Sequence, residues 1–299
     1  MPRSGFIAIS GQPNVGKSTI INGLLGEKVA IVSARPETTR DNIRGVLTEG
    51  DIQAVFIDSP GIHKPHDLLG KVMVSRAQST IMEADIVMFV TEKSKAFNAD
   101  DMNIISRLPE RDSGKKVVLV INKSDKVRDK TALLPLLDKA AKIYPFSDMV
   151  PMSALNEKHL KRLLEVIKAY LPEGPFFYPE EQLTDRTDTF MVQEIIREKV
   201  LTCTYEEVPH SAAVVVEGAE EDDKGHVTMH ATIYVERVSQ RSIVIGKNGE
   251  MIKKIRLSAK RDIEKTLGRK ISLELWIKVR DKWKKDPHSL REMGYGEET

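Results

Sequence analysis

The chain has one cysteine, Cys203, in 299 residues. A lone thiol excludes any internal disulfide, and with no paired Cys or His spacing there is no sign of a zinc site. Nowhere do eighteen apolar residues run together, and the apolar stretch beginning at Phe6 is too short for a secretory signal. The expectation is a soluble, cytoplasmic protein. Repeats and low-complexity segments are missing too, and aromatics amount to only 5%. The remainder, 40% hydrophobic and 30% charged, excludes a collagen-like or largely disordered chain and leaves core enough for two domains.

A strong net charge is also lacking: the balance is +2. The average conceals a division, because residues 180–236 hold 14 acidic and 4 basic side chains, net −10, whereas residues 237–285 hold 16 basic and 5 acidic, net +11. A basic segment interleaved with apolar positions suits a polyanion, either nucleic acid or an anionic membrane surface.

Short apolar runs at residues 6–10, 54–57, 86–90, 117–121 and 149–152 alternate with segments of helical spacing such as Leu160, Leu163, Leu164 and Ile167. Continuous apolar runs predict strands buried on both faces, so residues 1–171 read as a doubly wound α/β domain with a parallel sheet. Three prolines and a glycine within residues 172–179 mark a linker, 172–180. Residues 181–299 change pattern to α-β-β-α-α-β: a helix near 190–201, strands at 212–217 and 226–238 joined by an acidic turn at 218–225, helices within 243–267, and a strand at 271–279. This is an α+β unit.

Gly11, Gln12, Pro13, Asn14, Val15, Gly16, Lys17 and Ser18, followed by Thr19, fit the phosphate-binding loop, in the right place after a strand and before a helix. Loop N–H groups and the helix N-terminus surround phosphates, Lys17 reaches the β and γ oxygens, and the Ser18 hydroxyl ligates Mg2+. Asp58, Ser59, Pro60 and Gly61 follow the strand of residues 54–57, 41 residues after Lys17. There Asp58 can hold magnesium through water while the Gly61 N–H senses a γ-phosphate. Asn122, Lys123, Ser124 and Asp125 close the next run, and a carboxylate at Asp125 accepts two hydrogen bonds from guanine that adenine cannot offer. Ser153 and Ala154, after the last run, add a backbone contact to the base.

These motifs in this order resemble the translation-factor-class GTPases, and the loop of residues 13–19 together with Thr38, Thr39 and Arg40 is similar to the bacterial Era-type subset. The resemblance implies GTP and GDP as ligands, and a switch I threonine on magnesium: Thr39, or Thr38 as the alternative. It implies slow intrinsic hydrolysis, because Ile62 stands where Ras-like proteins carry the water-orienting glutamine. Likeness to potassium-stimulated relatives implies K+ at Asn14; a loop-bracing role for Asn14 is equally open.

In the second half, Ile245, Gly246, Lys247, Asn248 and Gly249, with Lys253 and Lys254 behind them, form a Gly-x-x-Gly turn between helices on the basic side of the charge division. Such a turn lets backbone approach a sugar-phosphate chain, and in this topology it resembles a type II KH domain, an RNA-binding module. Ile243, Val244 and Ile252 line either the base groove or the core, mostly the core. Trp276, Trp283 and Tyr295 lie in a basic, aromatic tail that suits RNA or a membrane interface, with buried packing the plainer account of Trp276. Over its whole length the chain resembles the Era-type family. That resemblance implies a monomeric GTP-hydrolysing switch that binds 16S rRNA near its 3′ end, acts in 30S subunit assembly, and associates peripherally with the cytoplasmic face of the inner membrane. The alternative is a membrane-surface signalling GTPase whose basic domain binds anionic lipid.

Overall fold

The computed structural model describes residues 1–35, 37–62, 64–223 and 225–296. It resolves into two compact units. The first comprises residues 1–30, 39–64 and 73–185, and the second comprises 31–38, 65–72 and 186–299.

The first unit is built on six strands: β1 (Arg3–Gly11), β2 (Ile43–Glu49), β3 (Ile52–Asp58), β4 (Ile86–Glu92), β5 (Lys116–Asn122) and β6 (Asp148–Pro151). Their order is β2-β3-β1-β4-β5-β6. Every pair is parallel except β2 with β3. The sheet is therefore mixed, where the apolar runs predict a purely parallel one. β2 escapes detection because it is an edge strand, and Arg44, Thr48 and Glu49 interrupt its apolar positions. Strand β3, by contrast, is buried at every position. Helices α1 (Lys17–Leu25), α2 (Leu68–Glu83), α3 (Ala99–Ile105), α4 (Leu134–Ile143) and α5 (Glu157–Tyr170) accompany the strands. Ala77, Ile81, Ile104 and Ala140 pack with Phe89 and Leu119 in one core cluster. Because β3 and β4 flank β1 on opposite sides, the chain reverses direction at the carboxyl end of β1, the switch point where open α/β sheets bind ligands.

Residues 172–185 lie along this unit rather than apart from it. The buried Gln53 side chain accepts from the N–H groups of Phe177 and Tyr178 at 2.7 and 3.0 Å and donates to the Tyr178 carbonyl at 2.8 Å. Further on, Thr184 Oγ1 donates to the Arg44 carbonyl at 2.7 Å, and Arg44 pairs with Asp185.

The second unit contains α6 (Asp188–Cys203), α7 (Val208–Ser211), β7 (Ala213–Glu221), β8 (Val227–Val235), α8 (Val238–Ile245), α9 (Glu250–Leu267), β9 (Ile271–Val279) and α10 (Pro287–Glu292). The sheet runs β7-β8-β9, with β7 and β8 antiparallel and β8 and β9 parallel. Alternation along β9 sends Ile271 and Leu273 into a core shared with Ile196, Val244, Ile255 and Ile263. Among the described residues, no helix is long and apolar enough to cross a membrane.

The two tryptophans exchange the roles expected of them. Trp276 stands on the polar phase of β9 and is 43% exposed, whereas Trp283 is fully buried. Its indole N–H donates to the Ser211 carbonyl at 2.8 Å, and its ring lies 5.9 Å from that of Tyr295, which is also buried. The segment after β9 is thus part of the core, and neither Trp283 nor Tyr295 is available to RNA or lipid. Replacing Trp283 by Ala should destabilise this unit by about 3–5 kcal/mol, the usual cost of deleting a buried aromatic side chain. Chemical denaturation followed by circular dichroism measures it, and a loss below about 1 kcal/mol would place the tail outside the cooperative fold.

Candidate nucleotide site and nucleic-acid interface

The phosphate loop leaves β1 at Gly11 and enters α1 at Lys17. Gly16 has φ of 101°, and a Cβ there would sit 2.3 Å from Asn122 Nδ2. Only glycine fits that close approach. Asn122 in turn donates from Nδ2 to the Val15 carbonyl at 2.9 Å and accepts at Oδ1 from the Ala154 N–H at 3.0 Å. One amide thereby joins the phosphate loop, the segment after β5 and the segment after β6. Lys123, in the left-handed region with φ of 58°, donates to the Asn14 carbonyl at 2.5 Å and pairs with Glu92 at 2.7 Å. Asn14 is itself left-handed, with φ of 65°.

Lys17 Nζ donates to the Gly11 and Gln12 carbonyls at 3.1 Å each. Burial pulls its pKa down to about 8, with Asp58 opposing the shift. Burial conversely raises the Asp58 carboxyl, against the pull of Lys17 and the hydrogen bonds from Ser18 and Thr39. Ser18 Oγ donates to Asp58 Oδ2 at 2.7 Å, Thr39 Oγ1 donates to the same oxygen at 3.1 Å, and the two hydroxyl oxygens are 3.2 Å apart. Among the described residues, Asp58 Oδ1 is buried without a hydrogen-bond partner. A bare carboxylate oxygen beside two hydroxyls is the hard oxygen donor set that suits magnesium, directly or through water.

Of the two candidate threonines, the structure brings Thr39 to this set. The Thr38 hydroxyl instead bonds to Ser33 Oγ and the Arg35 carbonyl, each at 2.7 Å. Ser59 Oγ donates to the Ile9 carbonyl at 2.9 Å, Gly61 lies against Pro13, and Ile62 is buried in the apolar cluster beneath. Asp125 is exposed, and a hydrogen bond from Ser153 holds its carboxyl below the ordinary range, so it is ionised at neutral pH and open to a ligand.

In the second unit, residues 31–38 pack on α6. The Val32 N–H donates to Glu198 at 3.1 Å, and Arg197 donates to the Thr38 carbonyl. Arg197 is fully buried and forms a 2.6 Å ion pair with Glu194. Lys284 likewise pairs with Asp67 at 3.4 Å. Sequence reasoning missed these α6 partners: acid and base alternate along the helix as they do on any solvated face.

The Gly-x-x-Gly turn has the shape its sequence predicts. Gly246, Asn248 and Gly249 adopt φ of 74°, 52° and 77°, and a Cβ at Gly246 would meet Met251 Cβ at 2.6 Å. Lys247, Asn248, Lys253 and Lys254 are exposed, Ile245 is half-buried, and Val244 belongs to the core. Ile252, Lys253 and Arg256 of α9 line a groove with Leu275 and Trp276 of β9. The Trp276 ring stacks with His230 at 5.5 Å, so an aromatic face lies beside the exposed cations Lys253 and Arg256, with the Glu274 carboxylate in the same lining. Arg256 was also missed, and Trp276, for which buried packing was the plainer expectation, stands on β9 in phase with Glu274 and Lys278.

A family described as 50S ribosome-binding GTPase matches residues 6–123, and a KH domain matches residues 207–284. GTPase Era of Syntrophus aciditrophicus is 44% identical over 298 residues, 99% of this chain and 96% of the relative. GTPase Era of Clostridium tetani is 44% identical over 99% of each chain. Among solved structures, Era in complex with MgGDPNP and nucleotides 1506–1542 of 16S ribosomal RNA aligns with a TM-score of 0.95 and 38% identity, covering 99% of this chain and 100% of that one. An Aquifex aeolicus Era variant bound to GDP and AlF4− aligns over the same shares at 0.94 and 38%.

With Asp125 exposed and ionised, Asp125→Asn should reverse the preference between GTP and xanthosine triphosphate by at least about 100-fold, because the amide donates to the extra base carbonyl where the carboxylate accepted. Competition of each nucleotide against a fluorescent GDP reads the swing; unchanged guanine selectivity would remove Asp125 from base recognition.

Proposed function

This chain belongs to the Era family of GTPases, enzymes that hydrolyse GTP to GDP and phosphate, and on that premise we propose that it is a nucleotide-controlled RNA-binding factor. In this reading residues 1–171 form the GTPase domain and residues 181–299 the RNA-binding domain, with 172–180 between them. Its target is 16S rRNA near the 3′ end, and its process is small-subunit assembly. The observation that carries the RNA reading is the positive-φ turn at 246–249 with Lys247 and Asn248 exposed on it, set on the basic side of the chain. A backbone clamp of that kind holds about four nucleotides, while Trp276 offers a face on which a base can stack.

For hydrolysis, Lys17 brings positive charge to the β and γ oxygens, and the Gly61 N–H senses the γ-phosphate. Ser18, Thr39 and Asp58 would hold magnesium, which would supply charge neutralisation to the phosphates. Asn14 would either offer its side chain to K+ or brace the loop. Buried, apolar Ile62 orients no water, which supports slow intrinsic turnover. Switch I holds Thr38, which belongs to the second unit, and Thr39, which belongs to the first, and switch II, residues 58–62, lies in the first. A nucleotide that orders switch I therefore also acts on a residue of the second unit.

A second reading, peripheral attachment to the cytoplasmic face of the cell membrane, is favoured by α9 alone. There Leu257 is 52% exposed among Lys253, Lys254 and Arg261.

Lys247→Asp with Asn248→Asp should weaken binding of a 16S rRNA 3′-end oligonucleotide and flatten its salt dependence by about one unit of slope for each phosphate that the protein ceases to neutralise. GTP affinity should not change. Filter binding at several salt concentrations, with anionic vesicles as the competing arm, decides between the two readings; undiminished RNA affinity would move the site elsewhere. RNA should also bind more tightly to protein loaded with a non-hydrolysable GTP analogue than with GDP, and RNA should shift nucleotide affinity by the same factor. Equal RNA affinities in the two states would make the units independent.

A further inference from the structure

Behind the phosphate loop, a buried polar cluster reaches the loop through Gln12. Asp101, on α3, is 0% exposed. Its Oδ1 accepts from Gln12 Nε2 at 2.6 Å, and its Oδ2 accepts from Thr91 Oγ1 at 2.7 Å and from the Phe97 N–H at 2.9 Å. Gln12 Nε2 also donates to Asn98 Oδ1 at 2.7 Å. Asn98 cannot turn its amide over, because the same Oδ1 caps α3 by accepting from the Asp101 N–H at 2.9 Å. The two acceptors that face Gln12 are therefore fixed, and they fix which end of the Gln12 amide points inward.

Two further observations indicate that this arrangement serves the loop. Phe97 is held in the left-handed region, φ 60°, which is unfavourable for a bulky side chain, and that conformation turns its N–H onto Asp101. Lys95, two residues earlier, donates to the Pro13 carbonyl at 2.9 Å. The segment after β4 thus grips consecutive loop residues, Gln12 by side chain and Pro13 by carbonyl. The carbonyl of Gln12 is one of the two that hold Lys17.

We propose that Asp101 is a positioning residue for nucleotide binding, which acts through Gln12 to hold the phosphate loop open in the shape that receives the phosphates. Asp101 touches no nucleotide. Its buried carboxylate is kept because the Gln12 amide, locked from the other side by Asn98, has its partner there. The proposal rests on the nucleotide reading of the loop, and the experiment separates the two.

Fluorescent GDP is titrated into the full chain as wild type, Asp101→Asn, Gln12→Leu and the double variant, and GTP hydrolysis is followed in parallel. Asp101→Asn turns an amide donor toward the Gln12 donor. It should raise the GDP dissociation constant and the GTP KM about ten-fold, as loss of an outer-shell partner commonly does, with kcat within about two-fold. In the Gln12→Leu background Asp101→Asn should add nothing, since the path through which it acts is gone. An unchanged dissociation constant in Asp101→Asn, or full additivity in the double variant, would overturn the proposal. Should Asp101→Asn fail to fold, Thr91→Val removes one donor from the same carboxylate at constant shape. It should raise the dissociation constant about three-fold, again only when Gln12 is present, and no rise would overturn the proposal equally. Failure of the wild type to bind GDP would instead overturn the nucleotide reading itself.

Discussion

The Asn122 amide is the constraint on which the nucleotide site depends. It gives its donor to the Val15 carbonyl and its acceptor to the Ala154 N–H, so three loops that leave three different strands are held at one mutual geometry. The same amide stands where a side chain on Gly16 would have to be. Loops that follow parallel strands have no hydrogen bonds to one another by right of secondary structure. A side chain able both to donate and to accept is the simplest way to join them, and burial makes each bond harder to lose. With that junction made, Lys123 reaches Asn14 across it and Ser153 reaches Asp125 beyond it.

A different physical logic governs the second unit. Glu194 and Arg197 form a buried ion pair on α6, and Arg197 also donates to the Thr38 carbonyl. Removing two charges from water is costly, and the mutual attraction of such a pair offsets that cost only when the remaining donors are engaged. Here one of them is given to the backbone of the segment that precedes Thr39. An apolar helix face would pack at least as stably, but it would accept that segment in many registers. The ion pair accepts it in the one that presents the Thr38 carbonyl.

What the sequence made legible follows from distance along the chain. The phosphate loop, the run ending at Asp58, the Asn122 to Asp125 motif and the 246–249 turn are local, so spacing alone identifies them, and the structure places each at the end of the expected element. Partnerships across the chain were not legible. Gln12 and Asp101 are 89 residues apart, and Arg197 and Thr38 are 159 apart. Neither pair leaves a pattern in one sequence. Strand β2 was not legible because Arg44, Thr48 and Glu49 interrupt its apolar positions. The two tryptophans were not legible either: Trp276 falls on the polar phase of β9 although packing was the plainer expectation, and Trp283, in a basic neighbourhood, closes over Ser211.

That closure has a consequence for how the chain is made. The second unit requires β9, parallel to β8, and then Trp283 and Tyr295, both buried and stacked on each other. A parallel strand pair separated by two helices is a contact of high sequence separation, formed late compared with hairpins and helix turns. The first unit, complete by residue 185, can therefore fold while synthesis continues. The second cannot close until residue 295 has emerged. During that interval the nascent protein has its sheet and phosphate loop, but not the finished groove between α9 and β9.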